Sequence, residues 1–204
     1  MSQPRGIFIA FEGIDAVGKR TQTSILQSWL RSKGLVTRAL SFPAYETTIG
    51  KEIRRFLAGK VSYPPQVRAM LYSANRWEKR AELESVLSRA DVTLVDRYIG
   101  SNLAYGVSSG LDLDWLKTLE MGLPHPDTTI VLDAPAAKLI PRRVNRKDSY
   151  ENNFRLQQKA REAYLELAPK FGWTIINANK GIEETSKSIA ITVSKVLDAR
   201  RRTV

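Results

Sequence analysis

The chain has 204 residues, no cysteine and one histidine, and its 32 Lys and Arg outnumber its 21 Asp and Glu for a net charge of +11. That length suits one well-buried domain, and the missing cysteines exclude a disulfide framework, thiolate chemistry and metal centres built on Cys or several His. No apolar run reaches membrane-span length and no signal-peptide core opens the chain, so a cytoplasmic protein is expected.

The first element is an apolar strand over 7–11. It runs into Gly13-Ile14-Asp15-Ala16-Val17-Gly18-Lys19-Arg20-Thr21, with two glycines five apart and a lysine after the second. This is the core of a phosphate-binding loop. The segment that follows, 22–30, spaces Ile25, Leu26 and Trp29 at helical intervals. Strand, Gly-rich turn and helix N-terminus in that order aim backbone N–H groups and a helix dipole at an anion, and Lys19 adds a mobile charge. The position after Lys19, normally Ser or Thr for a Mg²⁺ ion, holds Arg20.

Further strands are expected at 36–42, 92–96, 129–133 and 173–178. Between them, 66–90 reads as one long helix with Val67, Met70, Leu71, Ala74, Trp77 and Ala81 on an apolar stripe, started by Pro64-Pro65. Leu156, Ala160, Ala163, Tyr164 and Leu167 mark another helix, and Ile189, Val193, Val196 and Leu197 the last. Nearly all-apolar strands alternating with helices predict an α/β fold, a parallel five-stranded sheet covered on both faces. Ligands of such sheets lie at the carboxyl ends of the strands.

Residues at those ends therefore matter most. Asp96 closes the third strand in the manner of the Mg²⁺-holding acid of phosphate-loop proteins, and Arg97 beside it suits a second phosphate. Tyr72 and Arg76 stand four apart on one helical face, fit to stack on a flat heterocycle and bond its carbonyl. Arg142, Arg143, Arg146 and Lys147 follow the fourth strand, where a basic flap over about 140–150 would close on a polyphosphate. His125 falls in a loop and carries no chemistry. The excess of positive charge fits either nucleic acid or a pocket holding several phosphates.

Phe11-Glu12-Gly13-Ile14-Asp15-Ala16-Val17-Gly18-Lys19 resembles the phosphate loop of thymidylate kinases. Phe42-Pro43, Ser73-Ala74-Asn75-Arg76-Trp77-Glu78, Asp96-Arg97-Tyr98 and Leu132-Asp133-Ala134-Pro135 resemble further blocks of that family, in its order. The resemblance spans about 7–168. It implies a single domain of three-layer phosphate-loop fold with a short lid, converting ATP and thymidine monophosphate (dTMP) to ADP and the diphosphate with Mg²⁺. It implies that Gly13, Ala16, Val17, Gly18, Lys19, Arg20 and Thr21 hold ATP. It implies that Asp15, Phe42, Tyr45, Tyr72, Arg76, Arg97, Asn102, Tyr105 and Tyr150 hold dTMP: Tyr72 stacks on the base, Arg76 and Asn102 bond its edge, Tyr105 presses on the deoxyribose and Arg97 binds the phosphate. Lys19, Asp15 and Arg97 would be catalytic with Arg142, Arg143 or Arg146, and Asp15, Asp96 and Glu151 would hold the metal.

Three positions depart from many family members: Ala16 and Tyr45 stand where arginines are usual, and Arg20 replaces the hydroxyl. The first fits the subset whose catalytic arginine comes from the flap. The resemblance also implies a homodimer, with neither nucleic acid nor membrane as partner. Two other readings are a kinase for another nucleotide or nucleoside, and a nucleic-acid-associated ATPase. The latter usually needs a glutamate after the strand-end acid to activate water, and here Arg97 follows Asp96.

Overall fold

The computed structural model describes residues 6–143 and 154–202. Five parallel strands form its one sheet: β1 (Ile7–Glu12), β2 (Thr37–Ser41), β3 (Val92–Asp96), β4 (Thr128–Asp133) and β5 (Thr174–Asn177), in the order β2-β3-β1-β4-β5. Every residue of β1 is buried, which is why its sequence is apolar on both faces rather than alternating. Phe8, Ala10 and Val95 meet Leu83, Leu87 and Tyr98 in one cluster, while Ile7, Ile9 and Phe11 belong to the larger core. The register pairs Phe11 with Asp96 on one side and Glu12 with Val131 on the other. The chain leaves β1 between neighbours reached in opposite directions, and this switch point is where the phosphate loop lies.

Helices α1 (Lys19–Ser32), α2 (Thr48–Leu57), α3 (Pro65–Glu78), α4 (Arg80–Arg89), α5 (Ile99–Ser108), α6 (Leu113–Glu120), α7 (Phe154–Phe171) and α8 (Ile182–Arg201) cover the sheet. The stripes expected on α7 and α8 are inward: Ala160, Tyr164 and Leu167 on the first, Ile189 and Val193 on the second.

Residues 66–90 are two helices, not one. The chain turns at Lys79, whose φ of −100° and ψ of 4° end α3 and begin α4, and whose amine is held by Glu46 and Glu82. No Gly or Pro marks the break. It re-aims α4 so that Leu83 and Leu87 reach the core. The apolar stripe is also reversed on α3. Met70 and Trp77 are 46% and 38% exposed, while Ala69, Ser73, Asn75 and Arg76 are buried. The inward polar groups are tolerated because each has partners.

Candidate active site

The loop between β1 and α1 is shaped by positions that only small residues fill. Gly13 has φ +128°, and a Cβ there would lie 2.4 Å from the Leu132 carbonyl oxygen; Gly18, at φ +105°, caps α1. Lys19 curls back over this turn and donates to the Gly13 and Ile14 carbonyls, at 2.9 Å each. Burial pushes its pKa down to about 8, with the Arg97 charge acting in the same direction. The group is therefore held in place and poorly solvated, with Asp96, Asp15 and Glu12 only partly offsetting its burial.

Arg97 follows β3 with a left-handed φ of +64°, unusual for a residue with a side chain. Its N–H donates to the Phe11 carbonyl at 2.9 Å. The next N–H, from Tyr98, donates to Glu12 Oε1 at 2.8 Å, and Glu12 Oε2 takes the Ser101 and Tyr164 hydroxyls at 2.6 and 2.9 Å. The fully buried Glu12 thus pins the strained turn from beneath. The Arg97 guanidinium bonds Asp15 Oδ1 through Nη2 and the Ser101 hydroxyl through Nη1 at 3.1 Å. Gln157, in the first turn of α7, holds Asp15 from the other side. Its Nε2 donates to Oδ2 at 2.6 Å, and its Oε1 accepts the Asp15 N–H at 3.0 Å and the Tyr105 hydroxyl at 2.9 Å.

A cavity of about 500 Å³ opens from these groups. At its far end Arg76 and Asn102 are joined through Glu120, the last residue of α6. Phe42 and Tyr45 reach the cavity from the loop after β2, and Arg54 covers the Tyr45 ring at 4.9 Å. Asn75 fixes that loop by accepting the Ala44 N–H at 2.7 Å and donating to the Thr47 hydroxyl at 2.8 Å.

Of the residues expected from the sequence, Asp15, Ala16, Gly18, Lys19, Arg20, Thr21, Phe42, Tyr45, Tyr72, Arg76, Asp96, Arg97, Asn102 and Tyr105 all line this one cavity. Gly13 and Val17 do not; the first lies under the Leu132 carbonyl and the second is buried in the core. The Arg142 and Arg143 backbone ends a 3-10 helix, Ala136–Arg143, while Arg146, Tyr150 and Glu151 lie outside the described residues. Among the described residues no three His, Cys, Asp or Glu side chains gather as a metal cage. Asp96 Oδ1 is nevertheless buried without a hydrogen-bond partner there, an acceptor fit for a cation or its water.

Sequence reading gave no role to Glu12, Ser101, Glu120 or Gln157. Two carried a signal. Gln157 sits on the inner stripe of α7, where Ala160, Tyr164 and Leu167 follow, and Glu120 lies one turn from buried Leu116. A polar residue on a core face asks for a partner.

A family model described as thymidylate kinase matches residues 11–189. The chain is 37% identical to a thymidylate kinase of Arabidopsis thaliana over 187 residues, 92% of this chain and 70% of that one. To the Homo sapiens thymidylate kinase it is 32% identical, over 94% of this chain and 91% of the other. Its fold is similar to that of a solved Candida albicans thymidylate kinase, with a TM-score of 0.77 and 28% identity over 97% of this chain and 93% of that one. The phosphate loop, the strand-end Asp96-Arg97 and the buried Arg76 share one cavity on a sheet of this fold, and the chain belongs to the thymidylate kinase family.

Proposed function

We propose that this chain moves the γ-phosphoryl group of ATP to dTMP, giving ADP and thymidine diphosphate. The observation that carries the reading is the continuity of the cavity, from Lys19 and the α1 N-terminus at one end to Arg76 and Asn102 at the other. The polyphosphate of ATP takes Lys19 and the loop N–H groups. The acceptor phosphate takes Arg97, the base lies between Phe42 and Tyr72, and Tyr105 closes the deoxyribose side.

The attacking oxygen is already ionised at neutral pH, so no protein base is needed; catalysis is positioning and charge neutralisation. Asp96, Asp15 and Glu151 would hold a Mg²⁺ ion, which when bound would supply charge neutralisation on the transferred group. Arg142, Arg143 and Arg146 are the candidates for the lid arginine that would neutralise charge on the transferred group. The enzyme works in the cytoplasm as a homodimer. Met70 and Trp77 on α3, with Met121 at 68% exposure just after α6, supply apolar surface for a second copy.

An ADP-release assay with dTMP, dUMP, dCMP and thymidine as acceptors tests the reading. dTMP should turn over fast, dUMP slowly, dCMP hardly and thymidine not at all. Preference for thymidine would make the enzyme a nucleoside kinase instead.

A further inference from the structure

Three elements meet at the far end of the cavity. Arg76 on α3 donates to Glu120 from Nε to Oε2 at 2.9 Å and from Nη2 to Oε1. Asn102 on α5 donates from Nδ2 to the same Oε1 at 2.6 Å and to the Ala69 carbonyl at 3.2 Å. All three side chains are buried, with 3%, 2% and 5% of Arg76, Glu120 and Asn102 exposed.

The amide of Asn102 has only one orientation here. Its two neighbours on that edge are a carboxylate and a backbone carbonyl, both acceptors. Turning the amide over would set Oδ1 against two oxygens. Nδ2 is therefore spent on the protein, and Oδ1 takes no donor from the described residues. In the same way Glu120 uses Nε and Nη2 of Arg76 and leaves Nη1. Arg76 and Asn102 both line the cavity, so the edge they offer a ligand is one acceptor and one donor.

We propose that Glu120 is a positioning residue that decides which pyrimidine the enzyme accepts, although it does not touch the nucleotide. The inference rests on the reading that dTMP sets its base against Arg76 and Asn102. Thymine and uracil present an N3–H donor and an O4 acceptor, the complement of that edge. Cytosine inverts both groups. A carboxylate at 120 keeps Asn102 from inverting with it, because it has no proton to donate, while the Arg76 guanidinium offers donors only and holds its register on the same carboxylate. An amide at 120 changes this. One of its edges is a donor, which must face a donor of Arg76 or Asn102. The conflict is relieved when Asn102 turns over and Arg76 slips from its fork, and Nδ2 then meets the acceptor N3 of cytosine.

The test measures kcat/KM for dTMP, dUMP and dCMP with the full chain and its Glu120→Gln and Glu120→Asp variants. In Glu120→Gln the dTMP/dCMP ratio should fall by at least about tenfold, since a site built on buried hydrogen bonds owes its selectivity to them. In Glu120→Asp, whose shorter carboxylate keeps the charge but cannot span both partners, the fall should be roughly three- to tenfold. The dTMP/dUMP ratio should stay within about twofold in both, because the two bases share the edge being read. General loosening of the site lowers all three substrates together and leaves both ratios unchanged, which would overturn the proposal. If Glu120→Gln does not fold, Glu120→Asp decides by the same ratio. A wild-type chain that leaves dTMP unphosphorylated would instead refute the underlying reading, before any variant is made.

Discussion

Arg97 crosses from the end of β3 to the phosphate loop and bonds the Asp15 carboxylate, which Gln157 steadies from α7. Burial opposes the Arg97 charge, and the Asp15 carboxylate beside it overrides that, so its pKa is held well above the ordinary arginine value. In the proposed reaction the acceptor phosphate would need the guanidinium that this carboxylate holds, so dTMP binding would be an exchange in which the phosphate takes Arg97 and Asp15 is released toward the reacting groups.

Asp15→Asn should separate the two halves of that exchange. Without its competing anion, Arg97 binds dTMP at least as tightly as before. kcat falls by about a hundredfold, the size of a lost charged hydrogen bond of up to about 3 kcal/mol. Calorimetric titration of dTMP alone, beside steady-state kcat, checks both. Weaker dTMP binding with unchanged kcat would contradict the exchange.

In the proposed reaction the lid arginines would act on the transferred group rather than on dTMP. The double variant Arg142→Ala/Arg143→Ala should lower kcat by about 10³ or more while dTMP binding stays within about threefold. Single-turnover phosphoryl transfer and dTMP titration measure the two effects. Near-normal turnover would remove the lid from the chemistry.

Lys19 predicts a pH dependence of nucleotide binding. Its pKa of about 8 lies below the ordinary 10.5 because of burial and the neighbouring Arg97 charge. From pH 8 to 10.5 the unfolded chain holds the extra proton, so this group adds stability as pH rises across that window and none of the penalty remains above it. ATP phosphates favour the ammonium form and restore the proton. Binding should take up about 0.9 proton at pH 9 and only about 0.1 at pH 7, and ATP affinity should weaken as pH rises through 8. Titration calorimetry in two buffers of different ionisation heat reads the uptake. Equal uptake at both pH values would contradict the assignment.

Tyr98 packs edge-on against Phe8 with ring centroids 5.1 Å apart, yet its hydroxyl is buried with no hydrogen-bond partner among the described residues. Tyr98→Phe removes that orphan and keeps the ring. It should raise stability by about 1 kcal/mol, or roughly 2–4 °C in Tm. Thermal unfolding checks it, and a fall of that size would show a partner for the hydroxyl.

The sheet was legible because its inner strands β1, β3 and β4, buried on both faces, are written as apolar runs; the edge strands β2 and β5 lie where the other expected runs do, although most of their residues are not buried. The phosphate loop was legible because its spacing is local. What escaped was long-range. Glu120 lies 44 residues from Arg76, and Gln157 lies 142 from Asp15; no periodicity reports such a pair. Helix α3 misled for the same reason. Its inward face is polar because Glu120, Ala44 and Thr47, all outside the helix, supply the partners, so hydropathy pointed to the wrong side. The turn at Lys79 carries no breaker; beside the local Glu82 its amine is held by Glu46, which only the fold brings there.

The exchange at Arg97 is tested most directly by a crystal structure with dTMP and a non-hydrolysable ATP analogue bound together. The account predicts Arg97 turned from Asp15 onto the dTMP phosphate, Lys19 lifted from the Gly13 and Ile14 carbonyls onto the triphosphate, and the base edge on Arg76 and Asn102. Both nucleotides bound with Arg97 still on Asp15 would contradict it.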